Sequence, residues 1–126
     1  MKQTEIVVAL IGNNKGRFLF QKRHAENPVM PNYWELPGGK KEMDETPIEG
    51  LEREIFEELG ISGLQWAPIP ASADQGGKIG TLMYVYGTNF EGDLITSLSW
   101  GWFSPLEALR LKLPVVTQEI VSNLIL

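Results

Sequence analysis

The first part of the chain alternates between apolar runs and turn residues. Residues 6–11 are apolar and mostly β-branched, a composition that predicts a buried strand. The glycines and asparagines of residues 12–16 predict a turn. Residues 17–23 alternate between apolar and polar positions, which predicts a second strand in a β-hairpin with the first. Residues 26–33 hold two prolines and two asparagines without any period, and this pattern predicts a loop.

A helix over residues 47–59 is the clearest element of the pattern. Thr46 and Glu49 have the spacing of a capping box, in which each side chain bonds the backbone N–H of the other residue. Gly60 supplies a typical C-terminal stop. Apolar residues at helical spacing predict a buried stripe, which consists of Ile48, Leu51, Ile55 and Leu59.

The second half of the chain predicts three further strands, a glycine-rich loop and two closing helices. The strands are expected at residues 64–69, 79–90 and 99–103, and the loop at residues 73–77. A second capping box, from Ser104 to Glu107, predicts a short helix. Residues 116–126 predict a closing helix after the break at Pro114.

This order of elements, β-β-α-β-β-β-α-α, determines the expected fold class. It predicts an α/β sandwich built on a mixed β-sheet. The chain has 126 residues, which is the length of one ordinary domain. Because neither an internal repeat nor a linker divides the sequence, we expect residues 1–126 to form a single domain.

Composition and charge exclude several kinds of site. The chain has no cysteine and one histidine, His24, so disulfides, thiolate metal sites and zinc sites built on several histidines are excluded. The net charge of −5 argues against partners such as nucleic acid or an anionic membrane, but it allows a phosphorylated small molecule that arrives with divalent cations.

The apolar run at residues 6–11 is too short to span a bilayer, and the start lacks a signal-peptide pattern. We therefore expect a cytoplasmic protein.

The predicted helix carries a concentration of acidic residues. Eight of the 16 acidic residues lie between Glu42 and Glu58, where Arg53 is the only basic residue. Glu54, Glu57 and Glu58 fall within an arc of roughly 100° on the helix, beside the apolar stripe. Like charges at this spacing repel each other, and a hard divalent cation such as Mg²⁺ would relieve the repulsion. The alternative interpretation is a solvated acidic face.

A sequence motif extends from the glycines before this helix to its end. Counted from Gly39, the chain has five residues, Glu45, seven residues, and then Arg-Glu-Ile-Phe-Glu-Glu-Leu-Gly-Ile, which ends at Ile61. This spacing matches the Nudix box, G-x5-E-x7-R-E-U-x-E-E-x-G-U, where U is aliphatic, at every constrained position. The segment Trp-Glu-Leu-Pro-Gly-Gly-Lys over residues 34–40 also resembles the lead-in of the MutT-type subgroup. The sequence therefore resembles a Nudix hydrolase, and more narrowly a MutT-type nucleoside triphosphate pyrophosphohydrolase.

The resemblance implies a fold, a cofactor and a set of site residues. The family fold is an α/β/α sandwich, in agreement with the predicted elements. By resemblance, the cofactor is Mg²⁺ or Mn²⁺, and Arg53 orients a box carboxylate. Glu45 would support the junction between the loop and the helix. The residues that would bind the metal are Gly39, through its carbonyl, and Glu54, Glu57 and Glu58.

The substrate side of the site also follows from the resemblance. Arg23 and Lys40 match positions that face nucleotide phosphates, and both carry the charge to do so. Val8 would line the base pocket, although a core position on its strand is an equal alternative. Thr117 lies near the position where members that select oxidised guanine carry an asparagine. Threonine offers a single hydroxyl, so the resemblance to enzymes that select 8-oxo-dGTP ends at this residue.

A second departure from the family pattern concerns the general base. Many MutT-type enzymes carry a further glutamate in the loop before the last strand, but residues 94–102 hold no carboxylate. Glu57 or Glu54 could serve as the base instead. The resulting hypothesis is an Mg²⁺-dependent enzyme, a monomer or homodimer, that converts a nucleoside triphosphate to a monophosphate and pyrophosphate. The alternatives are hydrolysis of dihydroneopterin triphosphate or a nucleotide sugar, and a nucleotide-binding sensor without turnover.

Overall fold

The computed structural model describes residues 4–70 and 81–125, which form a mixed β-sheet with helices on both faces. The strands are β1 (Thr4–Gly12), β2 (Phe18–Lys22), β3 (Trp34–Glu35), β4 (Gly38–Lys40), β5 (Ala67–Pro68), β6 (Thr81–Asn89) and β7 (Ser99–Phe103). The helices are α1 (Pro47–Leu59), α2 (Pro105–Ala108) and α3 (Val115–Asn123). The predicted α/β sandwich with a mixed sheet is confirmed.

Strand β1 is the centre of the sheet. It runs parallel to β6 from Thr4↔Thr81 to Gly12↔Asn89, and its first half is antiparallel to β4, with Val7 opposite Gly39. The expected hairpin partner, β2, is antiparallel to β1 but meets it only at Gly12↔Phe18. Strand β2 pairs instead along its whole length with β7, and it also pairs with β3. The hairpin prediction was therefore right in direction and wrong in extent.

Two apolar layers lie on opposite faces of the sheet. On one face, Val7 and Ile11 of β1 and Leu19 of β2 pack against the apolar stripe of α1. On the other face, Val8 of β1 and Phe20 of β2 pack with the apolar side chains around α2 and α3. Alternate residues of a strand point to opposite faces, so both layers use the same two strands. The sheet is covered on both sides, which is the α/β/α arrangement.

Helix α1 begins and ends where the sequence predicts. The hydroxyl of Thr46 accepts from the N–H of Glu49 at 3.2 Å, and the Glu49 carboxylate accepts from the N–H of Thr46 at 2.8 Å. Gly60 ends the helix in the left-handed conformation, with φ +71. The expected burial of Ile48 is wrong, because its side chain is 38% exposed. Gly50, two residues further on, faces the loop before the helix, so Ile48 points almost directly away from that contact.

Several boundaries differ from the expectations. The short strands β3 and β4 were missed because two or three residues next to Pro37 and two glycines carry no recognisable strand pattern. The strand expected at residues 64–69 pairs with β6 only over Ala67–Pro68. The closing helix ends at Asn123 rather than at residue 126, and the glycine-rich loop at 73–77 lies outside the described residues. No helix within the described ranges is long and apolar enough to cross a membrane.

Candidate functional site

Strand β4 brings the backbone of two glycines, Gly38 and Gly39, against neighbouring groups. A Cβ atom placed on Gly39 would lie 2.5 Å from Oε2 of Glu54, so a larger residue here would have to displace that carboxylate. Gly38 has φ +150, a conformation that L side chains rarely adopt, and any Cβ there would overlap the carbonyl of Val7. The predicted metal ligands Gly39 and Glu54 are therefore in direct contact.

Arg53 is the centre of an ionic network at the start of this site. Its Nε and one terminal nitrogen donate to the two carboxylate oxygens of Glu45 at 2.7 and 3.0 Å. The other terminal nitrogen donates to Glu54 Oε1 at 3.0 Å and lies 3.6 Å from Glu57 Oε2. The backbone carbonyl of Lys40 accepts a further bond at 3.0 Å. The guanidinium thus links the loop, strand β4 and two of the predicted metal ligands, as a planar fork with five N–H groups can do.

The loop before α1 is held by Glu45 and Lys41. The hydrogen bonds of the Arg53 guanidinium, followed by the bond from the Glu42 backbone N–H, lower the pKa of Glu45 to about 2. Lys41 is nearly buried, and its ammonium group lies 2.9 Å from Glu5 Oε2. The same ammonium donates to the carbonyls of Glu42 and Glu45 at 2.9 Å each. The loop that Glu45 was expected to support is therefore fixed by two cations: Arg53 bonds the carboxylate of Glu45, and Lys41 bonds the backbone carbonyls of the loop.

Glu58 has a different environment. The backbone N–H of Gly38 donates to its Oε2, and the side-chain amide of Gln21 donates to its Oε1, both at 3.2 Å. Burial raises the pKa of Glu58 to about 7, and the charges of Glu54 and Glu35 also raise it, whereas the two hydrogen bonds act against the increase. A half-buried carboxylate next to other carboxylates favours the arrival of a positive charge, such as a proton or a metal ion.

The donor set fits a hard divalent cation in its chemistry. Carboxylates and a backbone carbonyl are the oxygen ligands that Mg²⁺ and Mn²⁺ accept. Over residues 4–70 and 81–125, no three His, Cys, Asp or Glu side chains are already arranged to hold a metal ion. Glu54 bonds Arg53, and Glu57 is 58% exposed beside the same guanidinium, while Glu58 faces Gly38 and Gln21. Arg53 bonds Glu54 through Oε1, and Oε2 is the Glu54 oxygen nearest to Gly39, so Glu54 can contribute an oxygen to a cation site while the guanidinium holds it.

A cavity of about 550 Å³ opens on the other side of β4. Its floor is formed by β1, β4 and β6, and one wall is formed by the start of α3. The predicted substrate-binding residues all line it, although they come from four separate segments: Val8, Arg23, Lys40 and Thr117. Gly39 lines the same cavity, so a single residue separates the cavity from the carboxylate of Glu54.

Arg23 is fixed within this cavity by two hydrogen bonds. Its Nε donates to Glu35 Oε2 at 2.9 Å, and a terminal nitrogen donates to the carbonyl of Val29 at 2.8 Å. These bonds use two of the five N–H groups of the guanidinium, which leaves donors for a phosphate. Lys40 lines the same cavity and is exposed. The two cations that the resemblance assigned to phosphate binding thus line one cavity.

Sequence reasoning missed three polar residues of this region. Glu35 lines the cavity as the partner of Arg23, and Gln21 contacts Glu58 from strand β2. Thr96 lies in the loop that holds no carboxylate, and its hydroxyl donates to Gln21 Oε1 at 2.9 Å. A signal for Gln21 was present, because it has the same strand parity as Leu19 and thus a polar side chain at a core position. Glu35 lies in the segment at residues 34–40 that resembles the MutT-type lead-in, but the resemblance gave it no role, and Thr96 does not stand out in the sequence.

Comparison with known families identifies the class of protein that this fold and site define. The model of the NUDIX domain matches residues 1–124. The chain therefore belongs to the Nudix family, and the Nudix box that its sequence carries lies at the candidate site.

Two curated relatives are named for the cleavage of nucleotides. The 8-oxo-dGTP diphosphatase of Escherichia coli (strain K12) is 44% identical over 62 residues, which cover 49% of this chain and 47% of that protein. The CTP pyrophosphohydrolase of the same strain is 34% identical over 116 residues, which cover 90% of this chain and 84% of that protein. The chain therefore spans about half of the first relative and most of the second.

A solved structure supports the fold assignment independently. A MutT structure from work on the Aliivibrio salmonicida and Vibrio cholerae proteins superposes with a TM-score of 0.82. It is 22% identical to this chain, and the superposition covers 98% of each. At this identity the likeness shows the fold alone.

Proposed function

We propose that this protein is a Mg²⁺- or Mn²⁺-dependent pyrophosphohydrolase that converts a nucleoside triphosphate to a nucleoside monophosphate and pyrophosphate. One observation carries the proposal. Strand β4 separates a cavity lined by two cations from the acidic face of α1, and Gly39 contacts both. A nucleotide in the cavity would have its phosphates at the strand and the carboxylates directly behind them.

The proposed metal ligands are Glu54, Glu57 and Glu58 together with the carbonyl of Gly39. When bound, the divalent cation neutralises phosphate oxygens and lowers the pKa of the attacking water. Arg53 would orient Glu54 from the side, as its 3.0 Å bond to that carboxylate indicates. Hydrolysis adds water across the α–β phosphoric anhydride, and a carboxylate must accept the proton of that water. Glu57 is our candidate, with Glu54 as the alternative, because residues 94–102 hold no carboxylate.

We propose that Arg23 and Lys40 bind the phosphates and that the apolar part of the cavity binds the base. Val8 provides part of an apolar wall, and Thr117 offers one hydroxyl for a base edge. A single hydroxyl is poorly suited to read a purine edge in the way that an asparagine does. The relative that matches 90% of this chain is named for CTP, which makes pyrimidine triphosphates the first candidates.

Pyrophosphate release tests the proposal. Normal, oxidised and methylated nucleoside triphosphates are incubated with the protein and Mg²⁺ or Mn²⁺, beside Glu57→Gln and the control Glu52→Gln. Glu52 is exposed on the same helix, so its variant has the same loss of charge outside the proposed ligand set. We expect turnover of a few triphosphates that Glu57→Gln abolishes and Glu52→Gln retains. Equal loss in both variants, or no turnover of any triphosphate, would contradict the proposal.

The absence of a carboxylate from residues 94–102 favours a second candidate, a nucleotide-binding domain without turnover. Calorimetry separates the two, because a sensor binds a nucleotide with no product formed. If triphosphates remain intact, nucleotide sugars and dihydroneopterin triphosphate are the next compounds to test. The cytoplasmic location and the monomeric or homodimeric state remain predictions, and sanitation of the nucleotide pool is the cellular role that we propose for this activity.

A further inference from the structure

Three hydrogen bonds in series join the loop before β7 to the carboxylate of Glu58. The backbone N–H of Leu98 donates to Thr96 Oγ1 at 3.2 Å. The Thr96 hydroxyl donates to Gln21 Oε1 at 2.9 Å, and Gln21 Nε2 donates to Glu58 Oε1 at 3.2 Å. All three bonds run in the same direction and end at the carboxylate.

This direction has a chemical cause. An ionised carboxylate only accepts hydrogen bonds, an amide has one accepting and one donating end, and a hydroxyl does both. Because the carboxylate of Glu58 accepts, the amide of Gln21 presents its NH₂ end to it and its Oε1 end to Thr96. The Thr96 hydroxyl donates to that oxygen, and its own oxygen accepts from the N–H of Leu98, so Thr96 holds the amide in this orientation.

Gln21 occupies a position that would normally be apolar. Its side chain is 1% exposed, and it follows the fully buried Leu19 on the same side of β2. An amide at such a place is unfavourable unless both of its ends are bonded, as they are here. An apolar residue of similar volume would fill this space without that requirement. The bonds therefore point to a role for the amide beyond packing.

Both oxygens of Glu58 have a fixed donor. Gly38 N–H donates to Oε2, and Gln21 Nε2 donates to Oε1, so the plane of the carboxylate is determined from two sides. The loop that carries Thr96 is itself attached to the end of α1, because the N–H of Ile95 donates to the carbonyl of Leu59 at 2.9 Å. Thr96 is thus held in register with the helix that carries Glu58.

We propose that Gln21 and Thr96 are positioning residues that hold the carboxylate of Glu58 in the orientation required for binding the divalent cation. The inference rests on the proposed function, since it assigns Glu58 to that cation. It gives the loop at residues 94–98, before β7, a role in the site through the hydroxyl group of Thr96. Hydrogen-bond partners of metal ligands commonly contribute 10–100-fold, as an order of magnitude, to metal affinity or activity.

Thr96→Val and Thr96→Ser form the matched pair that tests this proposal. Valine has the shape of threonine without its hydroxyl, whereas serine keeps the hydroxyl. The Kd for Mn²⁺ alone is measured by calorimetric titration without nucleotide, beside the Tm of each variant. We expect Thr96→Val to raise the Kd about tenfold and Thr96→Ser to keep the wild-type value. A purely structural role would lower the Tm of Thr96→Val and leave its Kd for Mn²⁺ unchanged, and that result would overturn the proposal.

Gln21→Met tests the same positioning role at the residue that bonds Glu58 directly. Methionine has a volume similar to glutamine and donates no hydrogen bond to Glu58. We expect the same increase in the Kd for Mn²⁺, and a lower kcat at saturating nucleotide with little change in KM. Combining Gln21→Met with Thr96→Val should raise the Kd no further, since both act through one chain of bonds. Additive losses would show that the two residues act separately and would contradict the proposal.

The outcomes also separate this inference from the proposed function. If the wild-type protein binds Mn²⁺ and releases pyrophosphate while both variants match it, only the positioning role fails. If the variants lose Mn²⁺ affinity but no nucleotide is cleaved, the positioning role holds and the proposed function fails. A wild-type protein that does not bind Mn²⁺ would overturn both.

Discussion

The two ends of the Nudix box hold their carboxylates in opposite ways. We call them the loop end, at Glu45 before α1, and the far end, at Glu58 near the end of α1. At the loop end, the Arg53 guanidinium bonds both oxygens of Glu45 and holds its pKa at about 2. At the far end, burial raises the pKa of Glu58 to about 7, and its two hydrogen bonds come from neutral amides. The same residue type within one motif is thus a strong acid beside a cation and a weak acid in a desolvated site.

This difference suits Glu45 to a structural role and Glu58 to cation binding. A carboxylate that is already neutralised by a guanidinium has little to gain from a metal ion, and Glu45 serves to fix the loop. A carboxylate that burial makes unfavourable gains most from a cation, and Glu58 has this property. Glu54 lies between the two, with its oxygen on Arg53 and its charge acting on Glu58.

The largest effect is expected from breaking the loop end with Arg53→Ala. The change leaves the carboxylates of Glu45 and Glu54 without their cation and removes the bond to the carbonyl of Lys40. We expect kcat/KM for the best triphosphate to fall on the order of 100-fold. Steady-state pyrophosphate release measures this loss. The control is Arg17→Ala, since Arg17 forms an exposed ion pair with Glu107 at 3.5 Å.

Arg53→Lys sharpens the same test. Lysine keeps the positive charge but not the planar fork that bonds both oxygens of Glu45, so it should recover little activity. Full recovery of activity in Arg53→Lys would show that the positive charge is sufficient and that the planar shape of the guanidinium is not required.

The two ends should also give opposite dependences of stability on pH in the metal-free protein. Between pH 4.5 and 7, folded Glu58 keeps a proton that the unfolded chain has released, so stability falls as pH rises through this range. We expect a loss of about 2 kcal/mol, less than the full pKa shift implies because water partly screens the site. Glu45 acts oppositely, because its stabilisation is complete above pH 4.5 and is lost as pH falls towards 2.

Urea unfolding over a pH series measures both slopes. Glu58→Gln should remove the fall in stability between pH 4.5 and 7 and keep the loss of stability below pH 4.5. Glu45→Gln should weaken the loss below pH 4.5 and keep the fall between pH 4.5 and 7. Excess Mg²⁺ should flatten the first slope in the wild-type protein, because a bound cation replaces the proton. The same slope in wild type and Glu58→Gln would show that another group titrates.

A smaller effect is expected at Gly39, which joins the two ends. Gly39→Ala places a methyl group 2.5 Å from Glu54 Oε2 and must displace that carboxylate. We expect a loss of about 1–2 kcal/mol in unfolding free energy, which is typical of an overpacked position. In the background of Glu54→Ala the clash partner is absent, so the same glycine change should be nearly neutral. Equal losses in both backgrounds would place the strain in the backbone instead.

The sequence predicted the parts of the molecule that depend on local chemistry. The caps of α1 at Thr46 and Gly60 are properties of neighbouring residues, and they are found where expected. The site residues taken from the motif also lie around one strand, because the box spans a single loop and helix. The proposed roles of these residues remain predictions.

The contacts that sequence reasoning missed join residues that are far apart in the chain. Thr96 and Gln21 are 75 positions apart, and Gln21 and Glu58 are 37 apart. The contact between Thr96 and Gln21 depends on the pairing of β2 with β7, which no local pattern encodes. The burial of Ile48 was wrong for a related reason, since the loop rather than the sheet decides which side of the first helical turn is covered.

The smallest predicted effect concerns Thr46, and it separates helix stability from site geometry. Thr46→Ala removes the acceptor for the Glu49 N–H and should lower the unfolding free energy by about 1 kcal/mol. Thr46 follows Glu45, yet the fork of Arg53 fixes Glu45 independently of the cap. Thermal unfolding should therefore show a lower Tm while the Kd for Mn²⁺ stays at its wild-type value. Thr46→Ser, which keeps the acceptor, is the matched control. A weaker Kd in Thr46→Ala alone would mean that the helix start, and not Arg53, sets the geometry of the loop end.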